Sequence, residues 1–207
     1  MTLAVWDRGM PLAPQTGATK YQGTLAQGYD AKREESPKWQ AEQKIIEDML
    51  ADLPAGSIIL DVPVGTGRFL SFYGAKGFEV WGMDLSRDML ALAARKAEAG
   101  HVTGRLGLGD IRRIDLPDQS VDAAVACRIT RWLSPEDCQK AIRELQRVAR
   151  KRIIFTTREA HPTRPDIARP VSLFYGALDG WHIAANVAGY EDAYRIVMLE
   201  PVPGSYA

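Results

Sequence analysis

A chain of 207 residues is long enough for one domain with a sizeable core. Its 26 Lys and Arg balance its 26 Asp and Glu, so bulk attraction to nucleic acid or an anionic membrane is not expected. Cys127 and Cys138 have no paired spacing, and His101, His161 and His182 stand apart; this argues against a disulfide framework or a metal site and fits a reduced, cytoplasmic setting.

The first residues carry no apolar segment of secretory type, and no apolar run approaches membrane-spanning length. Gly9, Pro11, Pro14 and Gly17 mark an irregular N-terminal arm, so residues 1–35 are read as an arm able to act as a lid and 36–207 as the folded domain. Ser36-Pro37 is a helix start. Trp39, Ile46, Met49, Leu50 and Leu53 then fall on one face, and Pro54-Ala55-Gly56 ends the helix.

A buried strand is predicted over residues 58–60, running into Asp61, Pro63, Gly65, Thr66 and Gly67, with a helix-like run over 68–76. A second strand, 79–83, ends in Asp84 and is followed by a helix that Ser86 caps and Gly100 stops. A short apolar run over 106–109 precedes Asp110, and a fourth strand covers 121–127. Ser134-Pro135-Glu136-Asp137 starts a helix with its apolar face at Ala141, Ile142, Leu145 and Val148. Residues 152–155 form a fifth strand. Residues 158–170 read as a loop, 172–188 as a helix broken near Gly176 or Gly180, and 193–199 as a final strand.

Three strands ending in acids around a Gly-rich turn place a ligand site at the carboxyl ends of a parallel sheet, at a helix N-terminus. Asp84 lies roughly 20 residues past the turn, where an acid can accept ribose hydroxyls. Leu60-Asp61-Val62-Pro63-Val64-Gly65-Thr66-Gly67, Val80-Trp81-Gly82-Met83-Asp84-Leu85-Ser86, Gly109-Asp110-Ile111 and Leu145-Gln146-Arg147-Val148 before Arg152-Ile153-Ile154-Phe155 resemble, in order, the motifs of the class I S-adenosylmethionine-dependent methyltransferases of small-molecule type. The likeness covers about residues 55–160. One departure is Pro63, where the family usually has glycine; proline offers no N–H to a ligand. Leu70, in place of a third small residue, argues against a nicotinamide-binding loop.

The resemblance implies a single-domain, doubly wound, Rossmann-like α/β fold. Its sheet is mainly parallel, in strand order 3-2-1-4-5, and the last strand is antiparallel on a shortened C-terminal edge. It implies S-adenosylmethionine as cofactor, held by Asp61, Pro63, Gly65, Thr66 and Gly67, by Asp84 and Leu85 at the ribose, by Asp110 and Ile111 at the adenine, and by Arg128. It also implies methyl transfer by in-line displacement. The acceptor expected is a small molecule, neither membrane nor nucleic acid. Arg128, Arg131 and Arg158 at the strand ends, with Arg164 and Arg169 beyond, suit a carboxylate or phosphate on that acceptor; local pairing with Glu159 and Asp166 is the competing reading. Tyr29, in the Tyr21, Tyr29, Asp30 segment, is a candidate substrate contact in a segment that closes over the cofactor. His161 is a candidate base, although a dedicated base is needed only if the nucleophile starts protonated. Cys127 reads as a small core hydrophobe, and Ala126-Cys127-Arg128-Ile129 lacks the pattern of base N-methylation. A non-catalytic cofactor-binding sensor or partner subunit is the alternative.

Overall fold

A computed structural model describes residues 4–6 and 36–204; the arm segment with Tyr21, Tyr29 and Asp30 lies outside the described residues. Among these, eight strands form one sheet: β1 (Ala4–Trp6), β2 (Ile58–Asp61), β3 (Glu79–Asp84), β4 (Thr103–Leu108), β5 (Val121–Ala126), β6 (Ala149–Arg158), β7 (Trp181–Ala188) and β8 (Tyr194–Pro201). Their order is β1-β4-β3-β2-β5-β6-β8-β7. The pairs from β1 to β6 are parallel, and β8 runs antiparallel to β6 and to β7. The central order is the expected one, with the last strand beside the fifth.

The helices are α1 (Pro37–Leu50), α2 (Leu70–Ala75), α3 (Arg87–Ala99) and α4 (Pro135–Val148). Side chains alternate across each strand, so β2 sends Ile59 to one face and Leu60 to the other. Ile59 packs with Ile46 and Leu50 of α1, Tyr73 of α2 and Leu90 of α3. Leu60 packs in the opposite layer with Ile142 and Leu145 of α4. All of β5 is buried, as a strand covered on both faces must be. Ser86 and Ser134 cap α3 and α4 by accepting the backbone N–H of Met89 and Asp137. Ser36 precedes α1 but makes no side-chain cap bond.

Three expectations are corrected. The C-terminal edge is a full hairpin of two eight-residue strands rather than a shortened one. The segment read as a broken helix is a 3-10 turn over Val171–Ala177 followed by β7. Alanines at 184, 185 and 188 favour a helix locally, but pairing with β8 from Trp181 to Ala188 decides the outcome; strand preference follows cross-strand packing more than local propensity. The helix after the Gly-rich turn is also shorter than the run 68–76, because Arg68 and Phe69 lie before it. No helix among the described residues is long and apolar enough to cross a membrane.

The Val171–Ala177 turn is part of the core. Phe174 is buried and its ring centroid lies 4.7 Å from that of Phe155 in β6. Phe174→Ala should therefore destabilise the fold by about 3–5 kcal/mol, read as a lower midpoint in urea denaturation with an unchanged slope. A loss under about 1 kcal/mol would show that this turn is a detachable surface loop.

Candidate functional site

The sheet order reverses beside β2. From β2 the chain crosses to β3 and β4 on one side and then, from β4, to β5 on the other, and the gap between these connections opens a crevice at the carboxyl ends of the strands. The turn after β2 forms its floor. Val62 N–H donates to Val125 O at 2.9 Å and Val64 N–H to Met83 O at 2.8 Å, so the turn is tied to both neighbouring strands. Pro63 stands between these two committed amides. Gly65 and Gly67 have φ of +57° and +83°, which glycine adopts without strain. A Cβ at Gly65 would meet no protein atom within 4 Å, whereas at Gly67 it would collide with the Leu70 side chain. Gly65 thus leaves the cleft open, and Gly67 permits helix packing.

This first cleft is lined by Asp61, Val62, Pro63, Val64, Gly65, Thr66, Asp84, Leu85, Ser86, Gly109 and Ile111, and at its other end by Trp39, Arg68, Cys127, Arg128 and Arg131. Nine of the proposed cofactor and acceptor residues therefore share one crevice: Asp61, Pro63, Gly65, Thr66, Asp84, Leu85, Ile111, Arg128 and Arg131. Gly67 and Asp110 do not line it. Asp110 lies beside the lining residues Gly109 and Ile111. Its carboxylate accepts from the Arg112 backbone N–H at 2.9 Å and from the Arg112 guanidinium, at 2.6 Å for Nη2 to Oδ2.

The acids of the crevice are unusual. Burial pushes the Asp61 carboxyl up to about 8; the Tyr73 hydroxyl, which donates to it at 3.3 Å, opposes the shift and the nearby Asp84 adds to it. Burial likewise lifts Asp84 to about 6, against the backbone N–H groups of Ser86 at 2.8 Å and Gly65 at 2.9 Å. The Asp84 oxygens thus accept the Ser86 and Gly65 amides, with the Leu85 amide also facing them, and keep lone-pair capacity for a ligand. The Cys127 thiol is pushed up by burial and by Glu42, which makes it a poor nucleophile.

A second cleft adjoins the first and shares Arg128 and Arg131 with it. Lys38, Glu42, Thr130, Thr156, Arg158, His161, Tyr190, Glu191 and Tyr194 complete most of its wall. Lys38 and Arg158 both pair with Glu191, and Arg128 pairs with Glu42. Arg131 is exposed and lies over the Trp132 ring at 4.7 Å. His161 lines this cleft, and its Nδ1 accepts the Thr163 N–H at 3.3 Å. The expected group of five arginines is only partly assembled. Arg164 pairs with Asp166 at 2.7 Å, and Arg169 donates to the carbonyls of Leu133, Asp166 and Ala168. Those two order their own loop. Tyr29 lies outside the described residues.

Sequence reading missed Glu42, Arg68 and Trp39 as site residues. The signal for Glu42 was present. It falls between Trp39 and Ile46 at helical spacing, in the middle of the stripe that α1 buries.

Comparison with known proteins agrees with this geometry. Residues 59–152 match the methyltransferase domain family. Over 104 residues the chain is 35% identical to the malonyl-[acyl-carrier protein] O-methyltransferase of Serratia marcescens, covering 49% of this chain and 38% of that protein. The chain thus spans about two fifths of that relative. Its fold resembles magnesium protoporphyrin IX methyltransferase from Synechocystis PCC 6803, solved with bound S-adenosylhomocysteine (TM-score 0.73, 14% identity, 89% of this chain and 98% of that one). It also resembles the [4+2]-cyclase SpnF (TM-score 0.68, 19% identity, 93% and 98%). Residues 59–152 are thus similar to a methyltransferase domain, and the fold is that of magnesium protoporphyrin IX methyltransferase.

The raised acid gives a signed prediction. The folded state keeps Asp61 protonated up to about pH 8, while the unfolded chain releases that proton near pH 4. Stability of the ligand-free protein therefore falls as pH rises across this window. Asp61→Asn should remove part of that slope. Its Tm should match wild type near pH 4, exceed it increasingly toward pH 8 and hold a constant lead above. Parallel Tm–pH curves for the two proteins would show that Asp61 titrates normally.

Proposed function

We propose that the chain binds S-adenosylmethionine in the first cleft and transfers its methyl group to a small acceptor, carrying an anionic group, in the second. The observation that supports this best is that the two clefts adjoin and share Arg128 and Arg131. A bound cofactor and a bound acceptor would meet at that boundary.

The residues of the first cleft suit the cofactor's chemistry. Asp84 offers acceptor capacity to ribose hydroxyls, Ile111 an apolar surface to adenine, and Gly65 an opening without a side chain. The cofactor supplies an electrophilic methyl on a sulfonium, so an acceptor lone pair forms the new bond as the C–S bond breaks in line and S-adenosylhomocysteine leaves. The chain's own part is then to orient the acceptor and exclude water. Positioning of this kind can lower a barrier by about 7–11 kcal/mol at best.

On the acceptor side, Arg131 and Arg158 are the cations we assign to the anionic group, with Arg128 at the boundary. Arginine matches planar carboxylates and phosphates bidentately. A malonyl acceptor, as in the Serratia relative's name, ends in a carboxylate, which is ionised at neutral pH and needs no base. For an acceptor that starts protonated, His161 is the candidate base.

A second reading, cofactor binding without methyl transfer, is favoured by the likeness to a cyclase of the same fold. Incubation with S-adenosylmethionine labelled in its methyl group separates the two. Transfer of label to carboxylate acceptors supports the first reading; tight binding with no transfer to any acceptor class supports the second. Asp84→Ala should weaken S-adenosylhomocysteine binding at least tenfold, since a hydrogen bond to a charged group is worth roughly 1.5–3 kcal/mol. Arg131→Ala should raise the acceptor KM with little change in kcat. Equal KM values for wild type and Arg131→Ala would remove the anionic-acceptor reading.

A further inference from the structure

Glu42 is 1% exposed and belongs to α1, outside the residues that match the family. It accepts hydrogen bonds from three groups on two segments: Arg68 Nη1 after β2, and, after β5, the Cys127 thiol at 3.1 Å and Arg128 Nε at 3.0 and 3.2 Å to its two oxygens. Burial alone would raise its carboxyl, but Arg128 and Arg68 more than offset that and hold it below its ordinary value. It is therefore a fixed negative charge in the wall of the second cleft, bonded to Arg68, Cys127 and Arg128, which line the first.

Its two arginines are not equivalent. Arg68 is 7% exposed and fully engaged. Besides Glu42, it donates to the Trp39 carbonyl and, at 3.5 Å, to Gln43 Oε1, and its guanidinium lies 3.7 Å from the Trp39 ring. Arg128 is 36% exposed and spends only Nε on Glu42. Among the described residues its two terminal nitrogens have no hydrogen-bond partner. The guanidinium lies between the rings of Trp39, at 5.0 Å, and Tyr194, at 5.9 Å. Its backbone is left-handed, at φ +59°, with its N–H donating to Thr156 Oγ1 at 2.7 Å. A non-glycine residue keeps that conformation only where its surroundings impose it.

The cleft has a direction. Asp84 and Ile111, at the ends of β3 and β4, suit the nucleoside. The amino-acid tail of the cofactor must then run toward the ends of β2 and β5, where Arg128 stands. That tail ends in a carboxylate. We propose that Glu42 is a positioning residue. By holding Arg128 through Nε, it presents the two terminal nitrogens of the guanidinium to the cofactor's carboxylate at the boundary of the two clefts. A guanidinium fixed in this way loses less freedom on binding, which is why a positioned fork discriminates for a planar anion.

This inference rests on the first cleft being the cofactor site, and the test separates the two. Calorimetry is run with two probes, S-adenosylhomocysteine and its decarboxylated analogue, which keeps the amine and lacks only the carboxylate. Wild type should prefer S-adenosylhomocysteine by about tenfold or more. Arg128→Gln and Glu42→Gln should each abolish that preference and leave the analogue's affinity within about threefold of wild type; the double variant should lose no more than either single one, as expected for residues acting through one interaction. Where Glu42→Gln does not fold, Glu42→Asp, which draws the charge back by one methylene, carries the same expectation. Equal losses for both probes, or additive losses in the double variant, would overturn the proposal. Failure of wild type to bind either probe would instead remove the cofactor reading itself.

Discussion

The site depends on one constraint, the turn after β2. Its amides at Val62 and Val64 are bonded to β5 on one side and β3 on the other, so the turn cannot move without disturbing the centre of the sheet. β2 is also the strand from which the chain winds in both directions. The crevice follows from that topology, and the turn fixes its floor. With Pro63 between two internally bonded amides, the loop's donors largely serve the protein. Gly65 N–H, for instance, is spent on Asp84. On the reading proposed above, ligand recognition would rest more on side chains such as Asp84, Arg128 and Ile111.

The electrostatics follow from burial. Two acids of the crevice, Asp61 and Asp84, are desolvated and raised. Glu42, equally buried, stays charged because two guanidinium groups face it. Taking a carboxylate out of water is tolerated only when it is neutralised or paired, and the two adjoining clefts use both solutions. Neutral Asp61 and ion-paired Glu42 leave Arg128 and Arg131 as the charges that a ligand meets at the junction, and this is why an anionic group is expected there.

Much of the site was legible because its parts are local. Asp61 and Asp84 each follow an apolar strand and precede a Gly-rich or capped helix start, so their place in the fold is written in their neighbours. The serine caps at Ser86 and Ser134 were legible for the same reason. What escaped was non-local. Glu42 meets Arg128 across 86 positions, and only folding brings them together, although an acid on a buried stripe was a clue. β7 was hidden because its alanines carry no strand signal of their own and its conformation is set by pairing with β8. The arginine cluster was overcounted because Arg164 finds Asp166 two residues away and Arg169 finds nearby carbonyls. Asp110, for its part, accepts from Arg112 two positions on.

The most direct measurement is a crystal structure of the chain with S-adenosylhomocysteine bound. The expected result places both ribose hydroxyls within hydrogen-bond distance of the Asp84 carboxylate and the adenine against Ile111, with the sulfur facing the boundary at Arg128 and Arg131. Ligand density elsewhere, or a nucleoside turned so that its ribose lies away from Asp84, would contradict the assignment of the crevice and the direction of transfer drawn from it.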